Sequence, residues 1–152
     1  MSKTQSLMVS LGTVAPAFEL TDVVSGKAVG RDDVFAGADG GGRKGLLVMF
    51  ICVHCPYVKH VEAELARIGK DYEGTIAIVA ISANDVAEYP QDGPEEMKAQ
   101  AERLGFRFPY LYDETQEVAR AYEGACTPDF FLTWRLGAAC LTVATIVSPT
   151  RA

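Results

Sequence analysis

Two cysteines with two residues between them, Cys52-Val53-His54-Cys55, are the part of this sequence best equipped for chemistry. They follow the apolar run Leu46-Leu47-Val48-Met49-Phe50-Ile51 and precede Pro56. Beyond Pro56, apolar residues recur at Val58, Val61, Leu65, Ile68 and Tyr72, at spacings of three and four. That pattern predicts a buried strand giving way to an amphipathic helix, with the pair at the junction and Pro56 in the helix's first turn. Free amides and the positive end of the helix dipole favour an anion there, so the Cys52 thiol is expected to ionise below its ordinary value of about 8.5. A thiolate attacks disulfides, and a second thiol one turn on can resolve the mixed disulfide. The residues therefore predict thiol–disulfide exchange, with Cys52 attacking and Cys55 resolving. His54, between the sulfurs, would stabilise the thiolate if protonated and make the disulfide more oxidising. The alternative is a solvent-facing ring without effect. His60 is expected on the surface. Cys126 and Cys140 form no second close pair, so no metal site is expected.

The elements that must position the pair follow from hydrophobic pattern. Residues 15–29 read as a short extended hairpin around Gly26 that covers a sheet edge. The glycine-rich stretch from Gly37 to Gly45 reads as a flexible loop. Residues 46–51 and 76–81 read as strands buried on both faces, as in a parallel sheet. Pro94 to Leu104 reads as a helix, and Phe108 to Tyr112 as a short strand. Thr115 to Tyr122 follows as a short helix capped by Thr115, and Asp129 to Leu132 as another strand. Such alternation predicts an α/β fold with helices on both faces of the sheet. The acidic segment from Asn84 to Glu96 reads as a solvated charged loop.

The chain has 152 residues, enough for one core, and 22% of them are charged. Its net charge of −6 would repel a phosphate backbone, so nucleic acid is not an expected partner. Met1 to Gly12 holds one lysine and only the apolar stretch Leu7 to Val9, so neither export nor a membrane partner is expected, and the cytoplasm is. Four cysteines without a secretion signal point to chemistry rather than to a disulfide scaffold. No cofactor is called for.

The stretch from Phe50 to His60 resembles the active-site segment of the redoxin branch of thioredoxin-like proteins, grouped with the alkyl hydroperoxide reductase and thiol-specific antioxidant (AhpC/TSA) proteins. The runs Ala80 to Asp85, Phe108 to Thr115 and Cys126 to Phe131 resemble the same family. The resemblance implies a thioredoxin-like fold, three-layer α/β/α around a mixed sheet, with an N-terminal hairpin extension. It implies that Thr127-Pro128 forms a cis-proline loop that faces the cysteines and holds substrate backbone. Cys126 would then lie near the site, as a buried small hydrophobe or a third redox thiol, with His54 and Pro56 as modulators. The partners implied are protein or small-molecule thiols and disulfides, or peroxide.

Two departures qualify this. Ile51 precedes the pair and Val53-His54 fills it, unlike thioredoxin proper. The family's peroxidatic cysteine sits in a Pro-x-x-x-Thr-x-x-Cys setting, whereas here Val48 and Cys52 stand at the proline and threonine places relative to Cys55. Peroxide reduction is thus the alternative to disulfide exchange, and a thiol-based metal-binding module a lesser one. The resemblance ends near Leu132. It divides the chain into a thioredoxin-like domain, 1–132, and a divergent tail, 133–152, of the kind a truncated or frame-shifted gene leaves. The closing C-terminal helix is expected to be missing, with a strand over 141–147 and an open sheet face that would drive weak dimerisation of an otherwise monomeric chain. Cys140 receives no role.

Overall fold

The computed structural model describes residues 9–10, 12–37, 42–136 and 140–146, the last seven and 135–136 by backbone alone. Seven strands form one mixed sheet in the order β2-β1-β5-β4-β3-β6-β7. β3 (Gly45–Phe50) lies near its centre, parallel to β4 (Ile76–Ser82) and antiparallel to β6 (Asp129–Leu136). β5 (Tyr110–Tyr112) is parallel to β4. The expected hairpin is β1 (Glu19–Asp22) with β2 (Ala28–Gly30), and it extends the sheet past β5. β6 crosses from residue 132 to 133 without a break, and β7 (Cys140–Ile146) pairs antiparallel with it. Residues 147–152, on which the expectation of a missing closing helix falls, lie outside those described.

Every residue of β3 is buried, because both of its faces are covered. Leu47, Met49 and Ile51 meet α2 (Pro56–Asp71) and α3 (Pro94–Leu104) through Val58, Leu65, Met97 and Ala101. On the other face, Leu46, Val48 and Phe50 meet Val34 and Phe35 of α1 (Arg31–Ala36) and Val118 and Ala119 of α4 (Glu117–Ala121). Each fully buried Leu or Met contributes about 1.5–3 kcal/mol, which fixes the frame carrying the cysteines. Trp134, at the far end of β6, is 46% exposed.

Two local expectations change. α1 has no buried residue and was not anticipated; acidic Asp32 and Asp33 in its first turn are its sequence signal, Asp33 accepting the Gly30 amide at 3.0 Å. α4 begins at Glu117 rather than Thr115, with Gln116 in the left-handed region at φ 62°. Its first turn is held by the Asp113 carboxylate on the Ala119 amide, 2.9 Å, because that buried acid needs a donor. Thr115 only accepts the Glu117 amide, at 3.4 Å.

Candidate functional site

The strand–helix junction stands where the pattern puts it, but the helix opens later. Cys55, in extended backbone, precedes the helix and Pro56 is its first residue, so Cys52 sits three residues ahead of the cap. Val53 and His54 form a bend between them. Cys52 and Cys55 lie 4.5 Å apart as free thiols.

Both sulfurs converge on one residue of the segment leading into β6. Cys52 Sγ lies 3.4 Å from the Thr127 hydroxyl, and the Cys55 thiol donates to the Thr127 carbonyl at 3.4 Å. The Thr127-Pro128 peptide is cis and leads directly into β6. Thr127 is thus brought against both cysteines, with Pro128 next to it across the cis bond. Cys126, expected to be a buried hydrophobe, is half-buried, and its sulfur makes only a long 3.9 Å contact with the Pro128 carbonyl.

The bend between the cysteines is organised by a residue that the sequence reading placed in solvent. Asp92 ends a short 3-10 turn, Pro90–Asp92, in the loop after β4, and it is fully buried. Its Oδ1 accepts the backbone amides of Val53 and His54, each at 2.9 Å. Its Oδ2 accepts the Asn84 side-chain amide at 2.8 Å and the His54 ring Nδ1. A carboxylate only accepts, so Nδ1 carries the hydrogen. The His54 ring also lies flat on Tyr89, centroids 4.7 Å apart and planes 8° off parallel. The segment from Asn84 to Glu96 is therefore not simply a solvated loop, because a carboxylate taken out of water must find donors and this one finds four. His54 is no free surface ring either, whereas His60 is exposed as expected.

This geometry reverses the expected acidity of Cys52. The Val53 and His54 amides at the bend are turned onto Asp92, which leaves the Cys55 amide to bond the Cys52 sulfur. Burial pushes the Cys52 thiol from 9.0 up to about 11; the Thr127 hydroxyl lowers it, and the Asp92 charge raises it again. Burial likewise lifts Cys126 to about 11, with the Asp129 charge adding to it. Tyr110, beneath the site, is held well above 10 by burial, and its hydroxyl donates to Gln100 Oε1 at 2.9 Å.

Cys52, His54 and Asp92 place one sulfur, nitrogen and oxygen donor within 4.8 Å of one another. The Asp92 oxygens are already engaged in four hydrogen bonds, which a metal ion would have to displace. The two adjacent thiols of Cys52 and Cys55 are buried, and Cys126 beside them is half-buried. Among the described residues, no helix is long and apolar enough to cross a membrane.

Solved structures similar to this chain fall into two groups. An uncharacterized conserved protein from Geobacillus kaustophilus is 47% identical, with a TM-score of 0.82 over 92% of this chain and 69% of that one. A hypothetical protein from Sinorhizobium meliloti is 39% identical, with a TM-score of 0.83 over 94% of this chain and 73% of that one. At 19% identity, a thioredoxin-family thiol:disulfide interchange protein from Chlorobium tepidum superposes with a TM-score of 0.69 over 93% of this chain and 90% of that one, which shows the shared thioredoxin-like fold. No curated protein matches in sequence. With the cysteine pair at a strand–helix junction opposite a Thr-Pro loop, and a family model matching residues 11–145, the chain belongs to the AhpC/TSA family.

Proposed function

We propose that the protein is a thiol–disulfide oxidoreductase in which Cys52 attacks and Cys55 resolves. The observation that carries this reading is the convergence of both sulfurs on Thr127, 3.4 Å from its hydroxyl and 3.4 Å from its carbonyl. Two thiols that share one docking residue are held at a common reaction centre. Cys52 sulfur attacks a substrate disulfide, one substrate sulfur leaves as a thiol, and a mixed disulfide forms. Cys55 then attacks Cys52 Sγ, releasing the second substrate sulfur; the substrate gains two electrons and the protein ends with a Cys52–Cys55 disulfide. The loop around Thr127 and Pro128 holds the substrate backbone, Pro56 fixes the helix start behind Cys55, and the cytoplasm is the proposed setting.

Family membership supports a second reading, peroxide reduction, against which stand Val48 and Cys52 in the places of the family's proline and threonine. One redox titration with glutathione and one stopped-flow series separate the two. The first reading expects a Cys52–Cys55 disulfide at equilibrium and reduction of an insulin-type disulfide. Rapid peroxide consumption by a protein that forms no such disulfide overturns it.

A further inference from the structure

We propose that the protein's substrates are polypeptide disulfides flanked by Lys or Arg, drawn in by exposed carboxylates on the loops at the cysteine end of the sheet. This names the substrate class of the disulfide-exchange reading above and rests on it. β3, β4 and β5 run parallel, so the segments that follow them leave the sheet at one end, and β6, antiparallel to β3, starts there. Phe50 stands beside both Ile81 and Asp129, and Ser82 beside Tyr112, which sets these loops level with the cysteine pair. Exposed acids gather on them. Asp85 and Glu88 precede the buried Asp92, and the Glu88 charge pushes up the phenol of Tyr89, whose ring stacks on His54 between the cysteines. Glu114 follows β5, and Glu123 opens the segment that leads to Thr127. None of Asp85, Glu88, Glu114 and Glu123 has an ion pair among the described residues.

The bases that could balance this charge are elsewhere. Arg31, Arg67, Lys98, Arg103 and Arg107 are each paired with an acid of the helices or of the turn after α2. In the loops themselves stand Lys59, exposed on α2, and Arg120, which donates to the Thr115 carbonyl at 2.7 Å. Two further features fit a cation. Asp113, buried just past β5, gives one oxygen to the Ala119 amide and has no donor on Oδ1. Tyr57, two residues past Cys55, is 56% exposed, and aromatic faces attract Lys and Arg. Charge of one sign around a reacting group raises the local concentration of opposite charge, by about 10–10³ in rate at low salt. A substrate chain held at Thr127 places the residues flanking its own cysteine among these loops. The bonds made and broken are those of the exchange above; the carboxylates set only how often the disulfide arrives.

The test uses a Cys55→Ser background and three disulfide-linked peptide dimers of one backbone, Ac-Lys-Cys-Lys-amide, Ac-Gln-Cys-Gln-amide and Ac-Glu-Cys-Glu-amide. Mixed-disulfide formation on Cys52 is timed by mass spectrometry near neutral pH. Each rate is divided by that peptide's rate with mercaptoethanol, which removes differences in intrinsic reactivity. At about 10 mM ionic strength the Lys peptide is expected to exceed the Glu peptide about 100-fold, with the Gln peptide between them. At about 0.5 M, where charges are screened within a few ångström, the ratio is expected to fall below about 5-fold. Asp85→Asn, Glu88→Gln and Glu123→Gln together are expected to cut the low-salt ratio about 10-fold. All three sites are exposed, and asparagine keeps an oxygen for the Ala87 amide that Asp85 accepts at 2.9 Å. Asp71→Asn, Glu73→Gln and Glu102→Gln, at the helix ends remote from the cysteines, are expected to leave the ratio within about twofold. A low-salt ratio under about 5-fold overturns the proposal. So does a remote triple that lowers the ratio as far as the loop triple, since net charge alone then accounts for it. In both cases the Cys52 adduct still forms and disulfide exchange stands; absence of that adduct with every peptide overturns the exchange reading itself, and the substrate class with it.

Discussion

Replacing Asp92 by alanine removes a carboxylate that four donors share, and the structure sets the size of the effect. The Val53 and His54 amides at 2.9 Å, the Asn84 amide at 2.8 Å and the His54 ring lose their common acceptor together. A buried donor left without a partner costs about 1–3 kcal/mol, and bonds to a charged acceptor lie at the upper end. Val53 and His54 are only half-buried, so water partly repairs their amides, and the cost of keeping a charge out of water is recovered. The net loss expected is about 3–5 kcal/mol, the range found when one partner of a buried pair is removed. That is a large share of the roughly 5–15 kcal/mol that holds a domain of this size. Asp92→Asn keeps an oxygen for the two amides and is expected to cost about 1–2 kcal/mol. Urea denaturation, with the slope checked for constancy, measures both. A loss below about 1 kcal/mol in the alanine variant refutes the claim that this carboxylate organises the bend, and so does an equal loss in both variants.

Three further outcomes follow from the same coordinates. Because the Cys52 thiol is raised from 9.0 to about 11, its neutral form is favoured in the fold; the linked stability is intact below pH 9 and is lost between pH 9 and 11. After allowance for solvent screening this amounts to about 1–2 kcal/mol, seen as a smaller alkaline loss in Cys52→Ser than in the parent. Thr127→Val deletes the hydroxyl that lowers the Cys52 thiol, so the pH midpoint of Cys52 alkylation moves upward; a downward move refutes the contact. Gly69→Ala should gain about 1 kcal/mol of helix propensity, yet the added Cβ would lie 2.7 Å from the Phe108 ring, which is stacked on Phe106 at 4.6 Å. Overpacking wins, at about 1–3 kcal/mol of net destabilisation in a denaturation curve, and a more stable variant would show that the ring yields.

What could be read in advance divides along a physical line. β3 and β4 were legible as unbroken apolar runs, α2 by apolar residues three and four apart, and α3 by its run of helix-forming residues after Pro94. α1 was not, since a six-residue helix with no buried side chain leaves no period to detect. Cys52, Cys55 and Thr127-Pro128 were legible as types and spacings, but Asp92 lies 37 residues beyond Cys55 and acts only once the fold has closed. Its available signal was an acid in the Pro- and aromatic-flanked turn Tyr89-Pro90-Gln91-Asp92-Gly93-Pro94, more rigid than a solvated loop requires. The same acid explains why reasoning from the helix dipole gave the wrong sign for Cys52. Amides near a helix start stabilise an anion only where they are free to face it. In this fold two of them, at Val53 and His54, are turned onto Asp92, so the stabilisation falls to the carboxylate. Cys52 keeps the burial with only the Thr127 hydroxyl and the Cys55 amide to offset it, and faces that carboxylate's charge as well.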